Sequence, residues 1–340
     1  MDIALWFRKT LWVGVVCLAS LVWFSAMAVP VGAADPCRNR GDLDSRYCDE
    51  DGDLLADVPK DSGKWLNPGT LIFSYTAVED PSVYENVFKE LMDHIAKKTG
   101  KQVKWYVPES YAAQVEAMRS GRLHISGFAA GATVYGVNLG GFHPVAMMGD
   151  KNGAFRGYRL WLITHRDSGI KTVRDLKGRK VAHVTPASNS GDQAPRALFK
   201  KEGVIPDTDY KVVYSGKHDN SIMGVANKDY DAAPIASTVM ERMIERKMLD
   251  RSAVRIVWES DQFPGTAYGY IYNLHPDLQK KVREALLTFD WKGTGLAKDF
   301  GKQAEVFIPV DYRKHWEIIR TIQRDNKEAY TLDALKKIKQ

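Results

Sequence analysis

The sequence of 340 residues has only three cysteines, Cys17, Cys37 and Cys48, so a small scaffold stapled throughout by disulfides is excluded. Neither sign of charge dominates. With 48 basic residues against 42 acidic ones, the net charge of +6 falls short of a nucleic-acid footprint. Long apolar runs are missing after residue 29, so nothing downstream reads as a membrane span. Gly-x-Ser-x-Gly and His-Glu-x-x-His are absent, and His143, His165, His183, His275 and His315 lie scattered without metal-ligand spacing. The common hydrolase signatures are thereby excluded. A hydrophobic fraction of 44% is that of a packed protein rather than a disordered one.

What is present is unevenly spread. Arg8 and Lys9 precede an uncharged apolar run from Leu11 to Val29, and Val31-Gly32-Ala33-Ala34 follows. That layout is a secretory signal peptide over residues 1–34, with Pro30 and the small residues favouring cleavage. The rival reading is an uncleaved anchor, because the run is about long enough to span a bilayer. Loss of Asp2, Arg8 and Lys9 would leave 46 basic against 41 acidic residues. Export places Cys37 and Cys48 in an oxidising compartment, where a disulfide worth about 2–3 kcal/mol is the default. Paired thiols can also hold metal, but no nearby histidine completes a zinc set.

The segment 35–66 is acidic, and Asp49-x-Asp51-Gly52-Asp53-x-x-x-Asp57 alternates carboxylates around a glycine. Hard cations need several oxygens around one point, so Asp49, Asp51, Asp53 and Asp57 are candidate calcium ligands. The pattern resembles the Asp-rich calcium loops of thrombospondin-type repeats. It departs from an EF-hand, with glycine at the fourth loop position and Lys60 at the twelfth. The other reading is a solvated acidic linker.

From Leu66 onward, short apolar runs alternate with amphipathic stretches. Leu71–Tyr75, Val103–Val107 and Leu123–Phe128 predict strands, separated by helices over 84–98 and 111–120. The alternation restarts with strands at Tyr158–His165, Lys180–Val184, Lys211–Tyr214, Asp231–Ile235 and Val254–Trp258. Helices between them are expected at 191–202, 221–227 and 239–248. Two α/β units without a Gly/Ser linker predict two lobes joined by crossing strands, each a doubly wound sheet. The expected boundaries are 67–165 for the first lobe, 166–265 for the second, and 266–340 for the return and C-terminal helices near 276–290 and 311–338. From Arg313 the sequence carries eight basic and four acidic residues, a solvated helical face or a contact for an acidic partner.

One loop stands out. Thr185-Pro186-Ala187-Ser188-Asn189-Ser190-Gly191 lies between a predicted strand and helix, where free N–H groups and the helix dipole favour an anion. The plainer reading is an N-cap supplied by Asn189 or Ser190. Together with Tyr111-Ala112-Ala113-Gln114-Val115-Glu116-Ala117-Met118-Arg119, and with His218 followed by Val225-Ala226-Asn227-Lys228-Asp229-Tyr230-Asp231, it resembles the phosphonate/phosphite/phosphate ABC-transporter substrate-binding proteins. The resemblance covers roughly residues 68–310.

It implies a two-lobe, type II-like periplasmic binding protein, a monomer, that clamps a tetrahedral oxyanion and delivers it to a membrane permease. It needs no cofactor and no nucleic acid. On that resemblance Ser188, Asn189 and Ser190 bind the oxygens, His218 donates from the next loop, and Tyr111 and Tyr75 line the cleft. Relatives that hold an ammonium tail use carboxylates where this sequence has Thr238 and Thr266, which disfavours an aminophosphonate. Phe128 replaces a hydroxylated aromatic and would make one wall more apolar. Two rivals remain at this level: a sensor partner of a membrane histidine kinase, and a secreted hydrolase.

Overall fold

The computed structural model describes residues 37–331, 333 and 334. The leader expected over 1–34 lies outside them. Eleven strands succeed one another: β1 (Thr70–Tyr75), β2 (Gln102–Trp105), β3 (Ile125–Phe128), β4 (Phe142–Gly149), β5 (Leu160–His165), β6 (Lys180–His183), β7 (Lys211–Tyr214), β8 (Ala232–Ala236), β9 (Val254–Glu259), β10 (Ala267–Ile271) and β11 (Val306–Pro309). They form two sheets, ordered β11-β4-β10-β3-β1-β2 and β7-β6-β8-β5-β9.

Each sheet is built on a parallel trio, β2-β1-β3 in one and β7-β6-β8 in the other. An antiparallel strand then flanks each trio: β10 joins β3, and β5 joins β8. Parallel strands covered on both faces need apolar residues on both faces. β3 and β8 meet that demand by being buried at every position. The chain crosses between sheets after β4 and again after β9. The two crossings pair with each other, Tyr158 N donating to Phe263 O at 3.1 Å and Phe263 N to Tyr158 O at 2.8 Å. This is the two-lobe arrangement of a type II periplasmic binding protein.

The expected first-lobe boundary at 165 moves earlier. Leu160–His165 belongs to the second sheet, because its register pairs Trp161 with Ile235 and Leu162 with both Pro234 and Trp258. Among the elements that the sequence did not announce are the helix Ala130–Gly140 and β4. All eleven residues of that helix are buried. It therefore lacks the one-sided apolar stripe that identifies a surface helix. The helix expected from 221 starts three residues earlier, at His218. The C-terminal helix, expected to run from 311 to 338, is interrupted among the described residues, where Tyr312–His315 and Glu317–Asp325 are separate helices.

The acidic segment is a packed part of the first lobe rather than a solvated linker. Leu43, Tyr47, Leu55 and Ala56 are buried in its core. Asp44 N donates to Asn138 O at 2.8 Å, Tyr47 Oη and Arg46 Nη2 donate to Leu139 O, and Arg119 pairs with Asp44 at 2.7 Å. These contacts satisfy the C-terminal carbonyls of the helix Ala130–Gly140. No helix among the described residues is long and apolar enough to cross a membrane.

Candidate functional site

The parallel strands of both lobes end at one place, and the crevice beyond such carboxyl ends is where open α/β sheets hold ligands. Tyr75 ends β1, Phe128 ends β3, His183 ends β6 and Ala236 ends β8. A cavity of about 80 Å³ lies between the lobes there. That is room for one small anion, or for a few waters at roughly 30 Å³ each.

Five helical segments begin at its wall. Tyr111 opens one, Ala130 a second, Asn189 the π-turn Asn189–Gln193, His218 a fourth, and Ala236 and Thr238 flank the start of Ser237–Glu245. Each start brings N–H groups without intrahelical partners and the positive end of a dipole. The site is thus electropositive before any charged side chain is counted.

Ser188, rather than Asn189 or Ser190, is the N-cap of the π-turn. Its Oγ accepts from Gly191 N at 3.1 Å. The same Oγ lies 3.3 Å from His218 Nε2. His218 Nδ1 accepts from Ala236 N at 3.1 Å, which leaves the ring proton on Nε2. Nε2 therefore donates toward Ser188 Oγ, and the serine's own proton is free to donate into the cavity. Burial pushes the imidazole down to about 3, so it stays neutral. A serine beside a histidine suggests a nucleophile and its base, but here the facing nitrogen already carries its proton and no carboxylate orients the other.

Of the residues expected at the site, Tyr75, Tyr111, Ser188, Asn189, Ser190, His218, Thr238 and Thr266 all line the cavity. Tyr111 Oη is buried against Ser188 without a hydrogen bond of good geometry, a donor available to an incoming acceptor. Burial raises this phenol's pKa well above its ordinary value, so it is neutral. Thr266 Oγ1 donates to Tyr75 Oη at 3.4 Å. His218 stands on a helix rather than on a loop, which is what allows the Ala236 N–H to hold its ring. Phe128 is the exception. It does not line the cavity but packs edge-on against Phe142, with ring centroids 4.8 Å apart, and against Gly136. Strand alternation turns it to the opposite face of the sheet.

The sequence reading missed three contributors. Tyr158, on the first crossing, accepts from Asn189 Nδ2 at 3.0 Å and lies against Ser190. The helix Ala130–Gly140 brings Gly131 so close to Ala187 O and Asn189 N that a Cβ would collide with both. Arg242 reaches the cavity from the second lobe, paired with Glu79 of the first at 2.7 and 3.0 Å. Glu79 also accepts from Tyr84 Oη and pairs with Arg246, which binds Asp299 at 2.6 Å. Burial pushes the Glu79 carboxyl up, but Arg242, Tyr84 and Arg246 together hold it below the usual carboxylate range. A run such as Glu79-Asp80 reads as surface charge; only the fold shows it buried.

In the acidic segment, Asp49, Asp51 and Asp53 converge, with one oxygen of each within 4.8 Å of the others. This cluster could chelate a metal. Asp57 is not part of that trio; its carboxylate accepts from Glu50 N at 2.9 Å. Cys37 and Cys48, expected as a disulfide, adjoin each other as thiols in this structure, and the neighbouring Cys37 sulfur pushes the Cys48 thiol up to about 11.

A family model described as "ABC transporter, phosphonate, periplasmic substrate-binding protein" matches residues 73–316. The phosphate-import protein PhnD of Mycolicibacterium smegmatis is 27% identical over 238 residues, covering 67% of this chain and 74% of that protein. The phosphonates-binding periplasmic protein of Escherichia coli is 21% identical over 223 residues, 64% and 66% of the two chains. Among solved structures, a binding-protein component of an ABC phosphonate transporter from Pseudomonas aeruginosa superposes with a TM-score of 0.68 at 22% identity, over 79% of this chain and 93% of that one. PhnD1 from Prochlorococcus marinus, in complex with methylphosphonate, gives 0.67 at 17% identity over 77% and 99%. With the two crossed sheets and a match over most of its length, the chain belongs to the periplasmic substrate-binding proteins of phosphonate ABC transporters.

Proposed function

We propose that the small anion this periplasmic binding protein captures for its ABC transporter is a tetrahedral oxyanion without a cationic tail: phosphate, phosphite or a methyl-type phosphonate. The observation that carries the reading is the convergence of five helix starts on one cavity furnished with neutral donors. Oxyanions accept hydrogen bonds from every side, and neutral donors at helix termini hold them reversibly, as transport requires. Ser188 Oγ, Tyr111 Oη, the Ser190 hydroxyl and the amide of Asn189 are the proposed donors. His218 acts through Ser188 by fixing which way its proton points.

The tail end of the cavity supports the restriction. Thr238 and Thr266 offer hydroxyls rather than carboxylates, and the charged side chains that line the cavity with them, Arg156 and Arg242, are both cationic. An ammonium group there would be desolvated beside a guanidinium with no free counter-charge. Among relatives, one is named for phosphate import and one structure holds methylphosphonate, both consistent with this class.

We further propose that residues 1–34 direct export, and that Cys37 and Cys48 join in a disulfide in the oxidising periplasm. Calorimetry with phosphate, phosphite, methylphosphonate and 2-aminoethylphosphonate tests the ligand class. At least one of the first three is expected to bind tightly and the last to bind weakest. Best binding of 2-aminoethylphosphonate would overturn the tail argument, and no binding by any of the four would overturn the class.

A further inference from the structure

We propose that Asp49, Asp51 and Asp53 form a calcium site that pins the N-terminal segment to the first lobe. The three carboxylates each bring an oxygen within 4.8 Å of the others. Two oxygens that share one cation at about 2.4 Å can stand at most about 4.8 Å apart, a limit that all three pairs meet. Convergence alone would not suffice, since exposed acidic groups often cluster without a cation. The second observation is Asp49 itself. It is 1% exposed, and while its Oδ2 accepts from Leu54 N at 3.1 Å, its Oδ1 is buried with no hydrogen-bond partner.

A buried carboxylate oxygen without a partner, beside two more carboxylates, is unfavourable unless a cation supplies the missing interaction. The charges that bear on Asp49 and Asp53 are those of neighbouring carboxylates, Asp51 on both and Asp57 on Asp53. Calcium fits better than magnesium. It tolerates irregular shells of 6–8 oxygens and carboxylates bound through one or both atoms, with carbonyls and water completing the set. Magnesium demands a near-ideal octahedron and gives up its water reluctantly.

The site lies between two anchors. Before it, Asp44 and Tyr47 bind the end of the helix Ala130–Gly140; after it, Leu55 and Ala56 enter the core. A cation at 49–53 therefore closes the turn that brings both anchors onto the lobe. The role is structural and independent of the ligand cleft.

The test takes the exported protein stripped with EDTA and titrates it with calcium chloride, then with magnesium chloride, by calorimetry and thermal unfolding. Expected are one calcium per chain, a midpoint raised by several degrees, and protection of residues 37–66 from limited proteolysis. Magnesium should bind at least tenfold more weakly. Asp49→Asn should abolish the site. Asp51→Asn, at an exposed position that leaves the core intact, should weaken binding at least tenfold while the calcium-free midpoint does not fall. No calcium binding at millimolar concentration, or wild-type affinity in both variants, would overturn the proposal. Anion binding measured in EDTA reports on the cleft alone, so loss of one reading leaves the other standing.

Discussion

At the residue scale, the pocket depends on which atoms carry protons. Ser188 Oγ accepts from Gly191 N and faces Nε2–H of His218, so its own hydroxyl proton is left for the ligand. A hydrogen bond to a charged partner is worth about 1.5–3 kcal/mol. Ser188→Ala should therefore weaken anion binding by about 10- to 100-fold, measured by calorimetry, and lower the melting temperature of the ligand-free protein by a few degrees, because the cap on Gly191 N is lost as well. His218 makes a second, pH-dependent prediction. Its folded pKa is about 3, while an unfolded histidine titrates near 6.5. Between those values the unfolded chain holds a proton that the folded one refuses, so stability is complete above pH 6.5 and falls as pH drops toward 3. The slope from this one group is about 1.4 kcal/mol per pH unit. Urea midpoints from pH 7 to pH 4.5 should fall, and His218→Gln should flatten the decline. Burial also depresses His143, to about 4, so some slope should persist in that variant. An unchanged slope in His218→Gln would mean that the imidazole is not held neutral.

At the element scale, the site is a meeting of helix starts and two crossing strands. Gly157 and Phe263 lie back to back where the crossings pair, and a Cβ on Gly157 would run into Phe263 O. Gly157→Ala should pry the crossings apart, displace Tyr158 from Asn189 and cost at least tenfold in anion affinity, whereas Gly169→Ala, with open space around it and no positive φ, should leave affinity unchanged. Calorimetry on the two variants separates these outcomes. The same elements explain what could be read from the sequence. Strands such as Leu71–Tyr75 announce themselves as apolar runs, and the loop 185–191 announces a helix start through its serines and glycine. The resemblance then named its partners, Tyr111 and His218, and the fold put both on the cavity. The helix Ala130–Gly140 was illegible because burial on all sides erases its period. Phe128 was misplaced because a one-residue step along a strand reverses the face, and no local signal sets that parity. Glu79 and Arg242 are 163 positions apart, so their pairing exists only in the folded chain.

At the scale of the whole molecule, the charged cluster that joins the lobes governs closure. Glu79 and Asp299 belong to the first lobe, Arg242 and Arg246 to the second, and Glu79 is 2% exposed in this closed arrangement. Asp80 N donating to Asp219 at 3.0 Å and His218 N donating to Val78 O at 3.0 Å also cross the cleft. Opening the lobes would return these groups to water, so the cluster biases closure only while its charges stay matched. Replacing Arg242 by methionine keeps the volume but leaves Glu79 buried with Arg246 alone. Breaking a buried pair from one side costs about 3–5 kcal/mol. The open form escapes that penalty by rehydrating Glu79, so the penalty falls on the closed form alone. A shift of 3 kcal/mol toward the open form is about 150-fold in the equilibrium, and it raises the apparent dissociation constant by up to the same factor. Small-angle scattering of the ligand-free Arg242→Met protein should accordingly show a larger radius of gyration than the wild type, and saturating anion should restore the compact value. The double variant Glu79→Gln, Arg242→Met removes the stranded charge and should recover most of the affinity. If the double variant binds no better than Arg242→Met alone, Arg242 acts on the anion directly rather than through closure of the lobes.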